Sequence, residues 1–400
     1  MNMIFLTLSD MGGIQGRGIY VDLMRKFRDE GHSVYVVSPT ERRYHQSEGL
    51  LKKDGICILK VRTLNIRKTN ILEKGVGTLM IEGQFKKAVR KYLKDIQFDL
   101  ILYSTPPITF ANVVKYLKKK NPSSVSYLLL KDIFPQNAVD IRMFSKNSLF
   151  YWHFRRKEKN LYRLSDYIGC MSPANVDFIR RNNGYYPANR VEVAPNSIEL
   201  VADMELIDKA KVREHYGLPV DVPIFIYGGN LGKPQGIDYL IQCLEENLDR
   251  RDCFFLVVGG GTEFGKLRDW YNNHPGKSVK LMAGLPKKTY DQLVRSCDVG
   301  LIFLDHRFTI PNYPSRLLSY LEYKMPIICA TDVNTDIGKI AQENGYGYWC
   351  ESRNPTDFTT LVDKMLQSNM LEMGEHGYQF LKSNYLVEHT YQAIIKHFAK

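Results

Sequence analysis

A proline, a hydroxyl and a cation stand side by side in the segment NYPSRLLSYLEYKMPII, residues 312–328. The segment predicts a turn, a short helix over 314–323 and a buried strand, with Pro314, Ser315 and Arg316 in the first helical turn. Free N–H groups and the positive end of the helix dipole favour an anion there, and a fixed guanidinium strengthens that preference. Ordinary capping explains the same residues, and Arg316 alone also fits a solvent-facing side chain.

Three glycine-rich turns offer further places where a backbone can approach a ligand closely. They are SDMGGIQGRG (9–18), YGGNLGKPQG (227–236), which holds Lys233, and GGGTEFG (259–265), and each follows an apolar run. The first and third turns lack the G-x-G-x-x-G dinucleotide spacing. One such turn is weak evidence, because glycine also serves tight strand–helix connections. Several turns on one sheet edge instead predict a phosphate-binding site.

Short apolar runs alternate with amphipathic segments along the whole chain, which predicts an α/β protein with parallel sheets covered on both faces. One series ends near VEVAP at 195, and a second begins with VPIFIYGG at 222. We therefore predict two doubly wound, Rossmann-like lobes, residues 1–198 and 199–383, that face a central cleft. Residues 371–400 read as amphipathic helix, and we expect 384–400 to return to the first lobe.

Composition indicates an ordinary soluble globular protein, with 44% hydrophobic and 24% charged residues. No apolar run reaches the ~18 residues of a membrane span, and the N-terminus reads as a strand, not a signal peptide. Seven scattered cysteines predict reduced thiols in a cytosolic protein, and none has metal-ligand spacing.

Charge is concentrated in the first half of the chain. Residues 1–196 hold 33 Lys and Arg against 17 Asp and Glu, whereas the remainder holds 22 against 26. Within MFSKNSLFYWHFRRKEKNLYRL (143–164), basic and aromatic residues are interleaved, which fits an interfacial helix on anionic lipid as well as a solvated helix face. The candidate membrane contacts are Phe150, Tyr151, Trp152, Phe154, Arg155 and Arg156. No aromatic RNA-binding motif occurs, so nucleic acid is not an expected partner.

The ordered set of motifs resembles family 4 glycosyltransferases. GGIQGRGIYVDLMRKFRDEGHSVYVVSP is similar to the family's opening, and PNSIE, FLVVGGGTEFGKL, LPKKTYDQLVRSCDVGLIFL and PSRLLSYLEYKMPII follow in its order. The resemblance covers nearly the whole chain and implies the GT-B fold and retaining transfer from a nucleotide-sugar. LLLKDIFPQNAVDI (128–141) resembles a bacterial branch, the N-acetylaminosugar transferases of O-antigen and capsule pathways.

This resemblance implies donor-binding roles for matching positions. Gly12 and Gly13 match the pair beside the donor phosphates and sugar, and Leu285 and Pro286 match the segment at the nucleotide base. The positions of the family's diphosphate-binding Arg and Lys hold Asn230 and Gln235, which leaves Lys233 as the nearest cation. The remaining donor-binding candidates are Gly229, Gly261, Tyr313, Pro314, Ser315 and Arg316.

The family's paired glutamates are the largest departure. Their positions align with Pro311 and Ser319 in this chain. Glu322 lies one helical turn beyond Ser319, so it either substitutes for one of those glutamates or is a solvated carboxylate. The departure leaves open which residue binds the ribose and which donor sugar is selected.

The implied chemistry requires the departing diphosphate to be neutralised, and Ser315, Arg316 and Lys233 are the candidates. No Asp-x-Asp occurs in the chain, so we expect no metal and no cofactor beyond a UDP-sugar co-substrate. Asp132 follows the run VSYLLLK and either orients the acceptor hydroxyl or caps the next segment. A polyprenyl-diphosphate-linked saccharide is the expected acceptor, used at the cytoplasmic face of the membrane by a peripheral enzyme.

Two other functions fit the same sequence. A UDP-N-acetylhexosamine epimerase would use the same two-lobed fold, although its proton transfers need cleft carboxylates and histidines in which this chain is poor. A non-catalytic, basic membrane-binding protein would explain the charge asymmetry. Nucleotide binding would distinguish the glycosyltransferase and the epimerase from the non-catalytic membrane-binding protein.

Overall fold

The computed structural model describes residues 1–66, 71–201, 206–274 and 278–398, without the side chains at 71, 72 and 74–76. The chain forms two compact units. Unit 1 comprises Met1–Glu199 and Leu386–Lys400, and unit 2 comprises Leu200–Tyr385.

Unit 1 is built on an eight-stranded sheet in the order β3-β4-β2-β1-β5-β6-β7-β8. Its neighbouring strands are parallel, except that β3 runs antiparallel to β4. Near-continuous apolar sequence buries both faces of the central strands, as expected when helices cover a parallel sheet. The strands are β1 (Asn2–Leu6), β2 (Ser33–Glu41), β3 (Gly49–Lys53), β4 (Ile56–Thr63), β5 (Leu100–Ser104), β6 (Val125–Leu130), β7 (Tyr167–Cys170) and β8 (Val191–Val193).

Helices connect these strands and supply the apolar layer on each face of the sheet. Leu23, Met24 and Phe27 of the first helix are buried against Met3, Phe5 and the rest of that core. The helices are α1 (Ile19–Asp29), α2 (Ile71–Tyr92), α3 (Ala111–Lys120), α4 (Gln136–Asp140), α5 (Leu149–Leu164) and α6 (Pro173–Asn182).

Unit 2 has a six-stranded, fully parallel sheet in the order β11-β10-β9-β12-β13-β14. Its strands are β9 (Ile224–Asn230), β10 (Phe254–Gly260), β11 (Val279–Ala283), β12 (Val299–Phe303), β13 (Ile327–Thr331) and β14 (Gly347–Glu351). Its helices are α7 (Lys209–His215), α8 (Ile237–Glu246), α9 (Phe264–Asn272), α10 (Lys287–Ser296), α11 (Arg316–Glu322), α12 (Ile337–Glu343), α13 (Pro355–Leu366) and α14 (Met370–Asn384).

The last helix, α15 (Val387–Ile395), belongs to unit 1. Its Tyr391 ring packs edge-on against Phe27 at 5.0 Å, and the Tyr391 hydroxyl lies 3.0 Å from His32 Nε2. The prediction of one helix over 371–400 is wrong, because Leu386 adopts an extended conformation and pairs with Ile198 as a parallel bridge. That bridge separates α14 from α15.

The predicted fold class is confirmed, since two Rossmann-like sheets follow one another along the chain. Strand β3 was not predicted, because its LLKK face is exposed and lacks a buried apolar run. The signal for it is the dipeptide Asp54-Gly55, whose φ angles of 54° and 80° form the tight turn between β3 and β4.

Candidate functional site

The carboxyl ends of β9 and β10 carry two glycine turns that lock together through main-chain contacts. The Leu231 N–H donates to the Gly260 carbonyl, and the Glu263 N–H donates to the Leu231 carbonyl, both at 2.9 Å. A Cβ at Gly261 would lie 2.3 Å from that Leu231 oxygen. Gly229 has a φ of 116°, a backbone conformation that favours glycine. These turns therefore present backbone to the edge of the sheet without side chains in the way.

Arg316 places a cation beside the first of these turns. Its Cζ lies 4.3 Å from the centre of the Tyr227 ring, and its Nη2 is 3.9 Å from where a Cβ of Gly229 would stand. Its Nη1 is buried and has no hydrogen-bond partner in the described part of the chain. Burial raises the pKa of the neighbouring Tyr290 to about 12, so that phenol is neutral near pH 7. A partly buried cation next to exposed backbone is suited to an anion.

The segment before Arg316 differs from its prediction. The N–H groups of Leu317 and Leu318 donate to the carbonyls of Pro314 and Ser315, a tight turn that precedes the helical ladder. Helix α11 therefore begins at Arg316, and the assignment of Pro314 as the first helical residue is wrong. Ser315 is exposed, and its side chain makes no capping hydrogen bond.

Tyr313 is buried and does not reach the edge of the sheet. Its side chain is 4% exposed, and its hydroxyl bonds to the hydroxyl of Tyr385. The ring is thus enclosed in the core of unit 2, and a donor contact at Tyr313 stays a prediction.

The two positions considered for the ribose also differ in exposure. Ser319 is half-buried, whereas Glu322 is 2% exposed and accepts a hydrogen bond from the Val201 N–H at 3.3 Å. Glu322 thus holds the chain segment that enters unit 2, and its role at the ribose stays a prediction. Pro311, at the other aligned position, is buried.

A short turn follows β9 and exposes Lys233. The Asn230 Nδ2 donates to Gln235 Oε1 at 2.8 Å, and the Gly232 N–H donates to the same oxygen at 3.1 Å. The two amides that occupy the family's cation positions therefore bind each other and shape the turn. Lys233 begins the turn and is exposed, with its charge in solvent.

The turn after β11, the third such turn in unit 2, holds the residues expected to contact the nucleotide base. Leu285 is half-buried and Pro286 is exposed directly before α10, where the Tyr290 N–H donates to the Pro286 carbonyl at 2.8 Å. Because β11, β10 and β9 are adjacent and parallel, the turns after all three lie along one edge. Most predicted donor residues of unit 2 are thus brought to that edge.

In unit 1, the glycine turn after β1 is held by the hairpin that joins β3 to β4. Lys53 Nζ donates to the Gly12 carbonyl at 2.9 Å, and Asp54 Oδ2 accepts from the Ile14 N–H at 3.0 Å. A Cβ at Gly13 would stand 2.5 Å from that carboxylate oxygen. The unpredicted hairpin therefore holds the backbone on both sides of Gly13.

Arg25 holds the other half of the same turn. Its Nε donates to the Ile14 carbonyl at 2.9 Å, and its Nη1 pairs with the carboxylate of Glu199. The Glu199 N–H in turn donates to buried Asp22 at 3.1 Å. Sequence reasoning missed Arg25, because a single arginine in an amphipathic helix carries no distinctive pattern. These contacts tie the glycine turn to the last residue of unit 1 before the chain enters unit 2.

Asp132 lines a cavity of about 500 Å³ at the carboxyl ends of β1, β5 and β6. Burial raises its pKa to about 6, although Asn137 Nδ2 donates to Oδ1 at 2.7 Å. The adjacent Lys131 donates to the carbonyls of Ala194 and Pro195, and burial lowers its pKa to about 7. Asp132 is therefore an acceptor of hydrogen bonds whose charge is sensitive to pH near neutrality.

The predicted membrane contacts on helix α5 differ in exposure. Phe150 and Trp152 are 70% and 61% exposed, and Arg156 is also exposed. Phe154 lines the cavity, and Arg155 pairs with Glu158 inside unit 1. Tyr151 is 7% exposed, so its ring is largely covered by unit 1, and its membrane contact stays a prediction. Among the described residues no helix is both long and apolar enough to cross a membrane.

All seven cysteines are free thiols, and six of them are buried. Within the described ranges, no three His, Cys, Asp or Glu side chains come together as a metal site would require.

Two family models match the chain in succession. Residues 19–201 match Glycosyltransferase Family 4, and residues 208–380 match Glycosyl transferases group 1. A probable glycosyltransferase WbjE of Pseudomonas aeruginosa is 20% identical over 270 residues, which span 64% of each chain. An uncharacterized glycosyltransferase, MJ1069 of Methanocaldococcus jannaschii, is 18% identical over 384 residues, 93% of this chain and 91% of its own.

Solved structures share the fold along the whole chain. The Anabaena protein HepE in complex with UDP-glucose superposes with a TM-score of 0.71 at 13% identity and covers 100% of this chain and 99% of its own. At that identity the likeness establishes the fold, and the two matched domain models establish the class of enzyme. The protein is a glycosyltransferase of the GT-B fold.

Proposed function

We propose that this enzyme transfers an N-acetylaminosugar, with retention, from a UDP-sugar to a lipid-linked saccharide in bacterial O-antigen or capsule synthesis. The observation that carries the donor side is Arg316, a guanidinium stacked on Tyr227 beside the glycine turn of β9. HepE, a neighbour in fold, binds UDP-glucose. The unit 2 edge of this chain offers a diphosphate main-chain N–H donors and a fixed cation.

The departing diphosphate gains charge as its bond to the sugar breaks. Arg316 is fixed by its ring contact before the reaction, so it stabilises that charge without the cost of reorganising. Lys233 adds a second, solvent-exposed cation on the neighbouring turn. We infer that these side chains, and not a metal ion, neutralise the leaving group.

The acceptor side of the proposal is based on unit 1. Retention by front-face attack lets the leaving diphosphate assist removal of the acceptor proton, so the protein needs only to orient the hydroxyl. Asp132 is suited to that task, because its carboxylate lines a cavity at the carboxyl edge of the sheet. With a pKa of about 6 it is mostly ionised near pH 7 and accepts a hydrogen bond from the hydroxyl.

The donor proposal is tested by thermal shift against a panel of UDP-, GDP- and TDP-sugars. A ligand that binds only the native state raises the melting temperature, so we expect the largest rise with UDP-N-acetylaminosugars. No rise with any nucleotide-sugar would contradict the proposal. Epimerisation of the UDP-sugar in the absence of acceptor would instead favour the epimerase.

We propose further that unit 1 docks on the inner face of the cytoplasmic membrane through the exposed part of α5. Phe150 and Trp152 are exposed apolar side chains, and the half of the chain that contains them has the basic excess that anionic lipid attracts. The double change Phe150→Ser and Trp152→Ser should weaken binding to phosphatidylglycerol vesicles about tenfold in a sedimentation assay. Leu371→Ser, at an even more exposed apolar residue of unit 2, is the control. Equal losses in both proteins would contradict docking through α5.

A further inference from the structure

The cavity in unit 1 has walls of two kinds. Most of the polar residues follow β1, β5 and β6, three adjacent strands, and the apolar residues come chiefly from the connecting loops and from α2 and α5. The polar residues after the strands are Thr7, Ser9, Ser104, Thr105, Thr109 and Asp132, and Tyr20 of α1 and Thr78 of α2 each add a hydroxyl. The apolar group includes Ile66, Ile81, Pro106, Pro107, Ile108, Phe134 and Phe154.

Four hydroxyls of the cavity, those of Thr7, Tyr20, Ser104 and Thr105, already have partners within the protein, and Tyr20 and Ser104 hydrogen-bond each other. The Thr105 Oγ1 accepts from the N–H groups of Lys131 and Asp132 at 3.0 and 3.2 Å and donates to the Asp132 carbonyl. The Thr7 Oγ1 accepts from the Ser9 N–H at 3.0 Å. Asp132 supplies the one carboxylate among the described residues that line the cavity. The polar wall therefore suits a ligand that places one hydroxyl at Asp132 better than a ligand with several hydroxyls.

Apolar side chains from the loops, α2 and α5 form a closely packed surface, and Thr78 of α2 adds a single hydroxyl to it. Phe134 and Phe154 meet edge to face, with ring centres 5.1 Å apart, and Ile81 and Ile108 are 1% and 4% exposed. A ligand hydroxyl held against such a wall loses its hydrogen bonds to water without replacement. A methyl or methylene group gains burial at the same place.

We propose that this cavity is the subsite for the acceptor's terminal sugar and that it selects a sugar with few free hydroxyls, either N-acetylated or deoxygenated. One hydroxyl of that sugar bonds to Asp132, and its apolar substituent packs on Ile81 and Phe154. The volume of about 500 Å³ accommodates a whole sugar ring with an acetamido group, within the ~300–1,000 Å³ range of small-molecule pockets. This inference rests on the proposed transfer reaction and specifies its acceptor.

Binding of matched lipid-free sugars tests the selection without requiring turnover. The probes are the methyl glycosides of glucose and galactose and their N-acetylamino and 6-deoxy counterparts, observed by saturation-transfer NMR with competition. We expect the substituted sugar of at least one pair to bind about tenfold more tightly, with saturation strongest at its methyl protons. Equal binding within every pair, or no binding of any probe while UDP still binds, would overturn the inference. The latter result would leave the donor proposal standing.

A change in the wall should alter the preference itself. Ile81→Thr keeps a β-branched side chain but adds a hydroxyl, so the ratio between substituted and unsubstituted sugars should fall at least threefold. Met80→Thr, at the exposed neighbour on the same helix, is the matched control and should keep the wild-type ratio. An unchanged ratio in Ile81→Thr, with the variant folded by circular dichroism, would overturn the inference.

Discussion

The two units contain similar sheets but present different kinds of surface at their carboxyl edges. In unit 2, glycines leave the main chain of the turns accessible, and one arginine stacks on a tyrosine beside them. The turns after β9 and β10 contact each other through main-chain atoms. In unit 1, the edge near Asp132 is a cavity closed by side chains from α2, α5 and the connecting loops. The edge of unit 2 is therefore shaped by glycines, which have no side chains, and the edge of unit 1 is shaped by side chains that enclose a cavity.

This difference indicates how one fold can bind two kinds of substrate. A diphosphate is recognised by charge and by main-chain N–H groups. Any sequence supplies such N–H groups where glycine lets the ligand approach the main chain closely. A sugar acceptor is recognised by shape and by a few polar contacts, which depend on the side chains chosen. Changes to the backbone should therefore be most damaging in unit 2, and side-chain changes in unit 1 should alter selectivity.

The largest expected effect is the loss of the cation in unit 2. Arg316→Ala should lower the transfer rate about 10²–10³-fold, because one preformed charge contact to the leaving group is removed. The melting temperature should stay equal or rise, since a partly buried charge with an unbonded Nη1 is also removed. Transfer is measured by release of UDP, with Lys288→Ala as an exposed-cation control. A normal rate with a lower melting temperature would make Arg316 a structural residue.

A change in the backbone turn should come next. Gly261→Ala places a Cβ within 2.3 Å of the Leu231 carbonyl, so we expect a loss of about 1–3 kcal/mol in the free energy of unfolding, measured in urea. Gly260→Ala is the matched control, because no atom lies within 4 Å of its added Cβ. Equal stability of the two variants would mean that the interlocked turns are not needed.

Asp132→Asn examines the closed edge of unit 1. Burial raises the Asp132 pKa from 3.8 to about 6, so the native state binds the proton more tightly than the unfolded chain does between those values. Wild-type stability attributable to this group should therefore fall as pH rises from 4 to 6. The variant lacks that loss and should be more stable at pH 7 by up to about 3 kcal/mol, with no difference below pH 4.

The same variant should transfer sugar more slowly at pH 7, because a neutral amide orients the acceptor hydroxyl less strongly than a carboxylate. The wild-type rate should also fall as pH drops through about 6, as Asp132 becomes protonated. If the transfer rates of the wild type and the variant depended on pH in the same way, Asp132 would have no role in the acceptor site.

The smallest effect is expected at the exposed cation of unit 2. Lys233→Ala should weaken UDP-sugar binding less than about fivefold, because a solvent-exposed charge is screened. Titration calorimetry at 50 and 500 mM salt should show the difference shrinking as salt rises. A loss as large as that of Arg316→Ala, independent of salt, would mean that Lys233 becomes enclosed by the ligand.

Periodicity and glycine turns were sufficient to predict the two sheets and the residues at their carboxyl edges, because strand order in such sheets determines where loops converge. Contacts between distant segments were not predictable. Tyr313 and Glu322 have suitable chemistry near Arg316, yet the core of unit 2 buries one and the Val201 main chain engages the other. The cavity wall had no signal either, since Ile81 and Phe154 resemble any apolar helix residue until α2 and α5 are packed.

The return of α15 to unit 1 bears on how the protein is made. Unit 2 interrupts unit 1 in the chain, so Tyr391 meets Phe27 across more than three hundred intervening residues. During synthesis, the segment that forms unit 2 emerges from the ribosome before the last helix of unit 1 is available. Contacts of such long sequence separation form slowly, because loop closure must precede them. We expect nascent unit 1 to expose the α1 surface until translation ends, which makes it the part of the newborn chain most in need of a chaperone.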